Sequence, residues 1–288
     1  MSRGLDHIVH AVRDLDAAAA LYRRLGFLVG ARNRHPWGTH NHIVQLPGTF
    51  IEVLTVAEPE KFGDDGFSRL FARFNQSFLQ HQEGLSLLIL ESADAGADAA
   101  AFAAAGIAAS DKLTFEREGR RPDGTPVQVG FSLAFARDAR SPSVGFATCH
   151  QHFPENFWNR AFQTHPNGAT GVAGVVLVAE NPTDHHIFVS AFTGERELLA
   201  TSTGITVKTA RGEIQVMAPD AFRSHFGVPP PDVAHGMRIA ALRFAIRDTA
   251  AVEALLRDAG IAARQIMGRL VVGPAQAMGA TLVFEPAA

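Results

Sequence analysis

The sequence has 288 residues, and its 26 basic and 29 acidic side chains give a formal net charge of −3. This length suffices for one large domain or two ordinary ones. The near-neutral balance lacks the basic patch of a nucleic-acid-binding protein, and no run of about 18 uncharged apolar residues predicts a membrane span. The N-terminal residues do not have the pattern of a signal peptide, and the single cysteine, Cys149, cannot form an internal disulfide. We therefore expect a cytoplasmic protein without nucleic-acid or membrane partners.

The first predicted elements form one compact unit. Residues 5–12 alternate with a period of two, which predicts a strand. A helix is predicted from Leu15 to Leu25, with Asp14 as its N-cap and Gly26 as the residue that ends it. Three short strand-like runs follow, and prolines and glycines separate them. The unit is therefore βαβββ.

The same plan of strand, acidic cap, helix and glycine recurs along the chain. Further copies begin near Gly84, Val172 and Met237, so that four βαβββ modules cover most of the sequence. Residues 58–83, between the first two copies, have apolar side chains near helical spacing and predict an amphipathic helical insert. We place the main boundary near Asn167, which gives an N-terminal domain over 1–167 and a C-terminal domain over 168–288.

The stretches "LDHIVHAVRDLDAAAALYRRLGF" and "GTFIEVL" resemble the first module of the vicinal-oxygen-chelate superfamily, and its glyoxalase-like branch in particular. Glyoxalase I, extradiol dioxygenases and metal-free resistance proteins belong to that superfamily. The resemblance implies an α+β fold in which modules one and two, and modules three and four, pair into two eight-stranded, cup-shaped sheets. It also implies a metal ion inside a cup.

Carried over to this sequence, the resemblance makes His7 and Glu52 metal ligands. An imidazole and a carboxylate on adjacent strands can converge on one divalent cation, here Zn, Ni, Mn or Fe. The fourth strand of the second module offers His150 and His152 on one face, and we expect His150 to be the third ligand because it lies nearer the middle of the strand. Glu52 and His150 are the candidate catalytic residues. Cys149 faces the other way and is expected to be a buried, inert thiol.

The segment "RNRHPWGTHNHI" could contact a substrate or gate the cup. Within it, Arg34, His40 and His42 are candidates for contacts around the metal or with the substrate, as is His152 on the second module. His40 is the first alternative ligand of this group. The two histidines of the third module, at positions 185 and 186, are expected at the surface.

Three functions stay open at this point. The first is a divalent-metal enzyme of the glyoxalase type, in which the cation polarises vicinal oxygens of a small molecule in a lyase or isomerase reaction. The second is a metal-free small-molecule-binding protein, favoured by Leu87 at a ligand position. The third is an extradiol-type dioxygenase, disfavoured because the only tyrosine is Tyr22 and the C-terminal modules lack ligands, with Glu285 out of place. The expected partner is a small molecule, and a homodimer is left open.

Overall fold

The computed structural model describes residues 2–120 and 124–287. The N-terminal half contains the elements β1 Leu5–Ala11, α1 Leu15–Arg24, β2 Asn33–Arg34, β3 Thr39–Leu46, β4 Thr49–Val56, α2 Arg73–His81, β5 Gly84–Glu91, α3 Ala95–Ala104, β6 Leu113–Arg120, β7 Pro126–Ala136, β8 Gly145–Gln151 and α4 Pro154–Phe157. The C-terminal half contains β9 Ala169–Val178, α5 His186–Thr193, β10 Leu199–Thr201, β11 Gly204–Lys208, β12 Glu213–Met217, α6 Pro219–Phe226, β13 Arg238–Ile246, α7 Thr249–Asp258, β14 Arg264–Ile266, β15 Arg269–Val272 and β16 Thr281–Pro286. Shorter helical segments are Pro59–Lys61, Ser68–Ala72, Arg160–Gln163 and Pro182–His185.

The strands form two curled eight-stranded sheets, one from each pair of modules. The first has the order β2-β3-β4-β1-β5-β8-β7-β6, and the second has the order β10-β11-β12-β9-β13-β16-β15-β14. In each sheet the first strands of the two modules pair antiparallel at the centre, and each pairs parallel with the fourth strand of its own module. The predicted α+β fold and the predicted pairing of modules are confirmed.

Local sequence signals explain the helices between the strands. The Asp14 carboxylate accepts the Ala17 N–H, and Gly26, with a φ of +81°, lets the chain leave the helix in a left-handed conformation. Asp94 and Asp248 cap α3 and α7 in the same way. The helix predicted to begin at Leu15 therefore has the expected caps.

One hydrophobic core joins the helix-covered faces of the two sheets. The ring of Phe27 lies 4.9 Å from that of Phe244, and the ring of Phe146 lies 4.7 Å from that of Phe188. The boundary near Asn167 falls between β8 and β9, and a division into two domains stays a prediction. In the two described ranges, no helix is long and apolar enough to cross a membrane.

The concave faces of the two sheets, which we call the N-terminal cup and the C-terminal cup, are filled differently. In the C-terminal cup, Phe222 and Phe226 of α6 are fully buried against the strands. In the N-terminal cup, Phe67 and Phe71 from the helical segment after β4 pack at one side, beside a cavity. The N-terminal cup therefore combines a curled sheet with a cavity that has space for a small molecule.

Candidate functional site

A cavity of about 410 Å³ lies in the N-terminal cup, within the range of roughly 300–1,000 Å³ that is typical of small-molecule sites. Phe67 and Phe71 line one side of it, and Phe157 and Phe162 from the segment after β8 line another. The lining side chains that carry polar atoms are His7, Asn33, His35, Trp37, Asn41, Gln45, Glu52, Arg117, Cys149 and Asn156. The cavity is thus lined both by aromatic rings and by polar side chains.

Glu52 lies in the middle of β4 and is 4% exposed, because alternate residues of this strand face the cup. Its Oε1 atom accepts a hydrogen bond of 2.5 Å from Nδ2 of Asn41 on β3. Within residues 2–120 and 124–287, no lysine or arginine forms an ion pair with this carboxylate. Burial raises the pKa of Glu52 above its usual value, while His7 and the Asn41 hydrogen bond act in the opposite direction.

His7 faces the same space from β1. Its Nδ1–H donates to Oδ1 of Asp6 at 2.5 Å, and its ring stacks on Phe50 with a centroid separation of 4.2 Å. Asp6 is itself held by the side chain of Gln151 at 2.9 Å. Because Asp6 accepts the proton on Nδ1, the neutral imidazole carries its lone pair on Nε2, which lies 3.9 Å from Oε2 of Glu52.

His35 approaches Glu52 from the other side. Its Nε2 lies 3.9 Å from Oε1 of Glu52 and 3.4 Å from the Asn41 amide, and its Nδ1 lies 2.8 Å from the Thr39 hydroxyl. Burial lowers the pKa of His35 to about 3, with a further contribution from the positive charge of Arg117. His35 is therefore neutral at ordinary pH and supplies no positive charge to Glu52.

A sequence comparison identifies the family. The model of the family described as "Glyoxalase-like domain" matches residues 5–192, which is more than half of the chain and includes every strand of the cup that holds the cavity. The chain belongs to the glyoxalase-like domain family. This result confirms the resemblance to the vicinal-oxygen-chelate superfamily. No curated protein matches the chain.

Solved structures share the fold of this glyoxalase-like protein. A hypothetical protein from Staphylococcus aureus matches with a TM-score of 0.68 and 12% identity, covering 100% of both chains. A mutant of 4-hydroxymandelate synthase from Streptomyces coelicolor matches with a TM-score of 0.61 and 12% identity, over 98% of this chain and 92% of the other. The Mn(II)-bound glyoxalase from Novosphingobium aromaticivorans matches with a TM-score of 0.57 and 12% identity, over 99% of this chain and 82% of the other. At such identities these similarities show the fold alone.

The structure corrects the expected position of His150. Cys149 lines the cavity of the glyoxalase-like cup, so His150, the next residue along β8, lies on the opposite face and is absent from the lining. The ring of His150 packs edge-on against His152, with 5.2 Å between centroids. The alternation along the strand was predicted, but its inward face was assigned wrongly. His150 is therefore not brought together with His7 and Glu52.

The other candidates from the sequence also lie outside the cavity. His152 bonds the Ser132 hydroxyl at 2.8 Å on the outer side of the sheet. His40 is buried between Arg32 and Glu58, with 2.8 Å from its Nε2 to the Glu58 carboxylate. His42 bonds the Gly30 carbonyl and does not line the cavity. Arg34 is exposed and also lies outside it.

The expectation for His185 is also corrected. His186 is exposed, as predicted, but His185 is 6% exposed and its Nδ1 lies 2.7 Å from Oδ2 of Asp138. The hydroxyl of Ser141 donates to the same oxygen and accepts the Met237 N–H. This cluster joins the two halves of the protein and is structural.

An ion-pair network occupies the C-terminal cup where the N-terminal cup has His7 and Glu52. Gly174 lies seven residues before the N-cap Asn181, as His7 lies seven residues before the N-cap Asp14, so this position of the C-terminal cup has no side chain. The guanidinium of Arg243 fills this space and bonds Glu285, at 2.6 Å, and Glu213, at 3.0 Å. Glu285, which the sequence offered as an out-of-place ligand, is a partner of this arginine.

The residues present provide only part of a metal site of the type that the superfamily implies. His7 and Glu52 face each other, and a carboxylate on Nδ1, as Asp6 provides, is typical of a metal-binding histidine. In the second module, however, Leu87 lies seven residues before the N-cap Asp94, as His7 lies seven residues before the N-cap Asp14. Ala147 pairs with Ile89 as Glu52 pairs with Val9, so the two positions that correspond to His7 and Glu52 carry side chains without donor atoms. Within the two described ranges, no group of three or more histidine, cysteine, aspartate or glutamate side chains is placed to hold a metal ion.

Sequence reasoning missed several polar groups of the glyoxalase-like cup. Asp6 meets His7 because the pairing of β1 with β5 shifts by one residue between Leu5 and His7, an irregularity that no sequence pattern announces. Asn41 could have been found, because β3 alternates and Asn41 shares the face of Ile43, which pairs with Glu52.

Proposed function

We propose that the N-terminal cup binds a small, largely apolar molecule with vicinal oxygens, and that Glu52 and His7 move protons on it in an isomerase-type or lyase-type reaction. The proposal is supported by family membership and by the aromatic cavity of about 410 Å³ that holds both side chains. One observation carries it. Glu52 is a buried carboxylate that faces a cavity, with an amide and two imidazoles as neighbours instead of a lysine or arginine in the described residues.

Such a carboxylate suits proton transfer, because the pKa of a general base works best near the operating pH. Burial raises the pKa of Glu52 in that direction. Asn41 orients one oxygen and leaves Oε2 open to the cavity side, 3.9 Å from His7. A base that already faces His7 and is held by one hydrogen bond needs little reorganisation when a substrate binds.

The proposed step is a shift along two carbon atoms that bear neighbouring oxygens. Glu52 removes a proton from the hydroxyl-bearing carbon, and the C–H electron pair forms a carbon–carbon double bond as the adjacent carbonyl takes the charge. His7, in the form that carries one proton on Nδ1 toward Asp6, takes the hydroxyl proton on Nε2 and gives it to the former carbonyl oxygen. Glu52 then returns its proton to the neighbouring carbon. The two residues end as they began, and no further reactant is consumed.

Deuterium exchange tests the proposal without knowledge of the physiological substrate. A series of α-hydroxy ketones and α-hydroxy aldehydes is incubated with the protein in D₂O, and incorporation at carbon is followed by NMR. We expect the wild type to exchange at least one member, and Glu52→Gln to lose about 10²–10⁴-fold in rate. His150→Ala, outside the cavity, is the matched control and should keep the wild-type rate. Exchange that survives in Glu52→Gln would contradict the role of Glu52, and binding without exchange would favour a binding protein.

A metal-dependent form of the same reaction is the second candidate. It is favoured by Asp6, whose bond to Nδ1 leaves Nε2 of His7 free to bind a cation together with Glu52. The exchange assay is therefore repeated with chelator and with Mn²⁺, Zn²⁺, Ni²⁺ or Fe²⁺. An exchange rate that falls with chelator and returns with one of these ions would establish metal dependence. The dioxygenase alternative has no comparable support, since Tyr22 is fully buried beside His10 and lies outside the cavity.

A further inference from the structure

The cavity contains a cation that has no carboxylate partner in the described residues. Arg117 lies on β6, two residues after Phe115, and both side chains line the cavity. Its guanidinium donates to the Glu118 carbonyl at 3.2 Å and, weakly, to Oδ1 of Asn33 at 3.5 Å. Burial lowers the pKa of Arg117, but an arginine side chain stays charged in proteins. Three or more of its five N–H groups are left to bind something else.

A second donor without a partner lies nearby. Trp37 is 8% exposed, lines the cavity and packs edge-on against Phe115, with 4.9 Å between ring centroids. Its Nε1–H has no hydrogen-bond acceptor among the described residues. Buried indole N–H groups usually find an acceptor, and the Nε1–H of Trp37 departs from this rule in the described residues.

Hydrogen-bonded amides separate the guanidinium from the catalytic carboxylate. Asn33 accepts from Arg117 and donates to Asn41 at 3.0 Å, and Asn41 donates to Glu52. The positive and negative charges of the cavity are therefore held apart instead of neutralising each other. This separation leaves Arg117 available to a ligand anion while Glu52 acts on a different part of the molecule.

We propose that Arg117 and Trp37 form a carboxylate subsite, so that the substrate is an organic acid with an apolar body. Its carboxylate binds the guanidinium and the indole N–H, its body packs among the phenylalanines, and its vicinal oxygens lie at Glu52 and His7. A carboxylate matches the planar, bidentate geometry of a guanidinium. This inference rests on the proposed function for the position of the reacting end, but the subsite is tested by binding alone.

The test compares acids with their uncharged analogues. Benzoate, phenylacetate and 3-phenylpropanoate are titrated calorimetrically into the protein beside benzamide, phenylacetamide and 3-phenylpropanamide. We expect at least one acid to bind the wild type about tenfold or more tightly than its amide, since a hydrogen bond to a charged group contributes this much. Arg117→Gln should remove the preference, and Trp37→Phe, which keeps a ring, should reduce it. Arg34→Gln changes an exposed arginine outside the cavity and should leave it intact.

The outcomes separate a ligand site from a structural role. The melting temperature of Arg117→Gln without ligand should equal or exceed that of the wild type, because the guanidinium has no carboxylate partner to lose in the described part of the chain. The subsite is overturned if no acid binds better than its amide, or if the preference survives in Arg117→Gln. Failure of the proposed function has a different signature, namely that acids are preferred but Glu52→Gln has no effect on deuterium exchange.

Discussion

His7 and Glu52 lie on neighbouring parallel strands, and their Nε2 and Oε2 atoms are 3.9 Å apart. This gap is too long for a hydrogen bond, so both atoms keep their capacity to bind a third group. Phe50 is the residue directly opposite His7, and its ring holds the imidazole in place while Asp6 holds Nδ1. The two side chains are therefore held in a fixed geometry at the cavity.

Two protein donors predict weak metal binding. A closed structural site uses four protein ligands and a catalytic zinc site three, whereas His7 and Glu52 provide two. We expect Mn²⁺ or Zn²⁺ to raise the melting temperature only at concentrations far above that of the protein, and we expect His7→Ala to abolish this response. A thermal-shift titration measures both, with His150→Ala as a control that keeps the response. One equivalent of metal retained after dialysis would instead reveal a third donor.

We expect the free energy of unfolding to decrease as the pH rises and Glu52 ionises. Because burial raises its pKa, the folded protein binds this proton more tightly than the unfolded chain, where the pKa is near 4.5. Stability from this group is present below that value and is lost as the pH rises through the folded-state pKa. Glu52→Gln keeps an acceptor for Asn41 and removes the charge. We expect it to be more stable than the wild type by about 1 kcal/mol at pH 8, with a smaller difference near pH 4, by urea denaturation.

Glu285→Gln should change stability in the opposite direction to Glu52→Gln. Glu285 is also buried in a strand, but it pairs with Arg243 and with Arg269, at 2.6 and 2.8 Å. Removal of its charge leaves the buried guanidinium of Arg243 with fewer partners, which should destabilise the protein by roughly 3 kcal/mol at pH 8. The same change should not alter the response to added metal. Equal effects of the two substitutions would show that Glu52 is paired with a cation after all.

The fold could be predicted because its signals are local and repeated. Each module contains an alternating strand, a capping aspartate or a proline at the helix start, and a glycine with positive φ at the helix end, such as Gly26, Gly106, Gly194 and Gly260. Period and caps act within about a dozen residues, so the sequence alone identifies them.

The site could be predicted only where the sequence also showed which face of a strand points into the cup. His7 and Glu52 were found by resemblance, and the structure places both in the cavity. The second module has no comparable motif. The alternation along β8 shows that Cys149 and His150 lie on opposite faces, but it does not show which of them faces the cavity. Arg117 was missed because a cation in an exposed-looking strand becomes a cavity residue only after the sheet curls.

The two cups should respond differently to loss of an aromatic ring. Phe222 is fully buried in the C-terminal cup, so Phe222→Ala should destabilise the protein by about 3–5 kcal/mol. Phe71 is also buried, but part of its surface already faces the cavity. Phe71→Ala should therefore be less destabilising and should enlarge the cavity. Urea denaturation of both variants checks the difference, and equal losses would indicate that the N-terminal cup is as tightly packed as the C-terminal one.

The two halves should unfold together, because one hydrophobic core spans both sheets. Phe27, after the first helix, is 2% exposed and packs against Phe244 and Phe284 of the other half, with centroid separations of 4.9 and 6.1 Å. Differential scanning calorimetry should show a single transition whose calorimetric and van't Hoff enthalpies agree. Phe27→Ala should lower the free energy of unfolding by about 3–5 kcal/mol and move that whole transition. Two resolved transitions, of which Phe27→Ala shifts one, would instead establish independent domains on either side of residue 167.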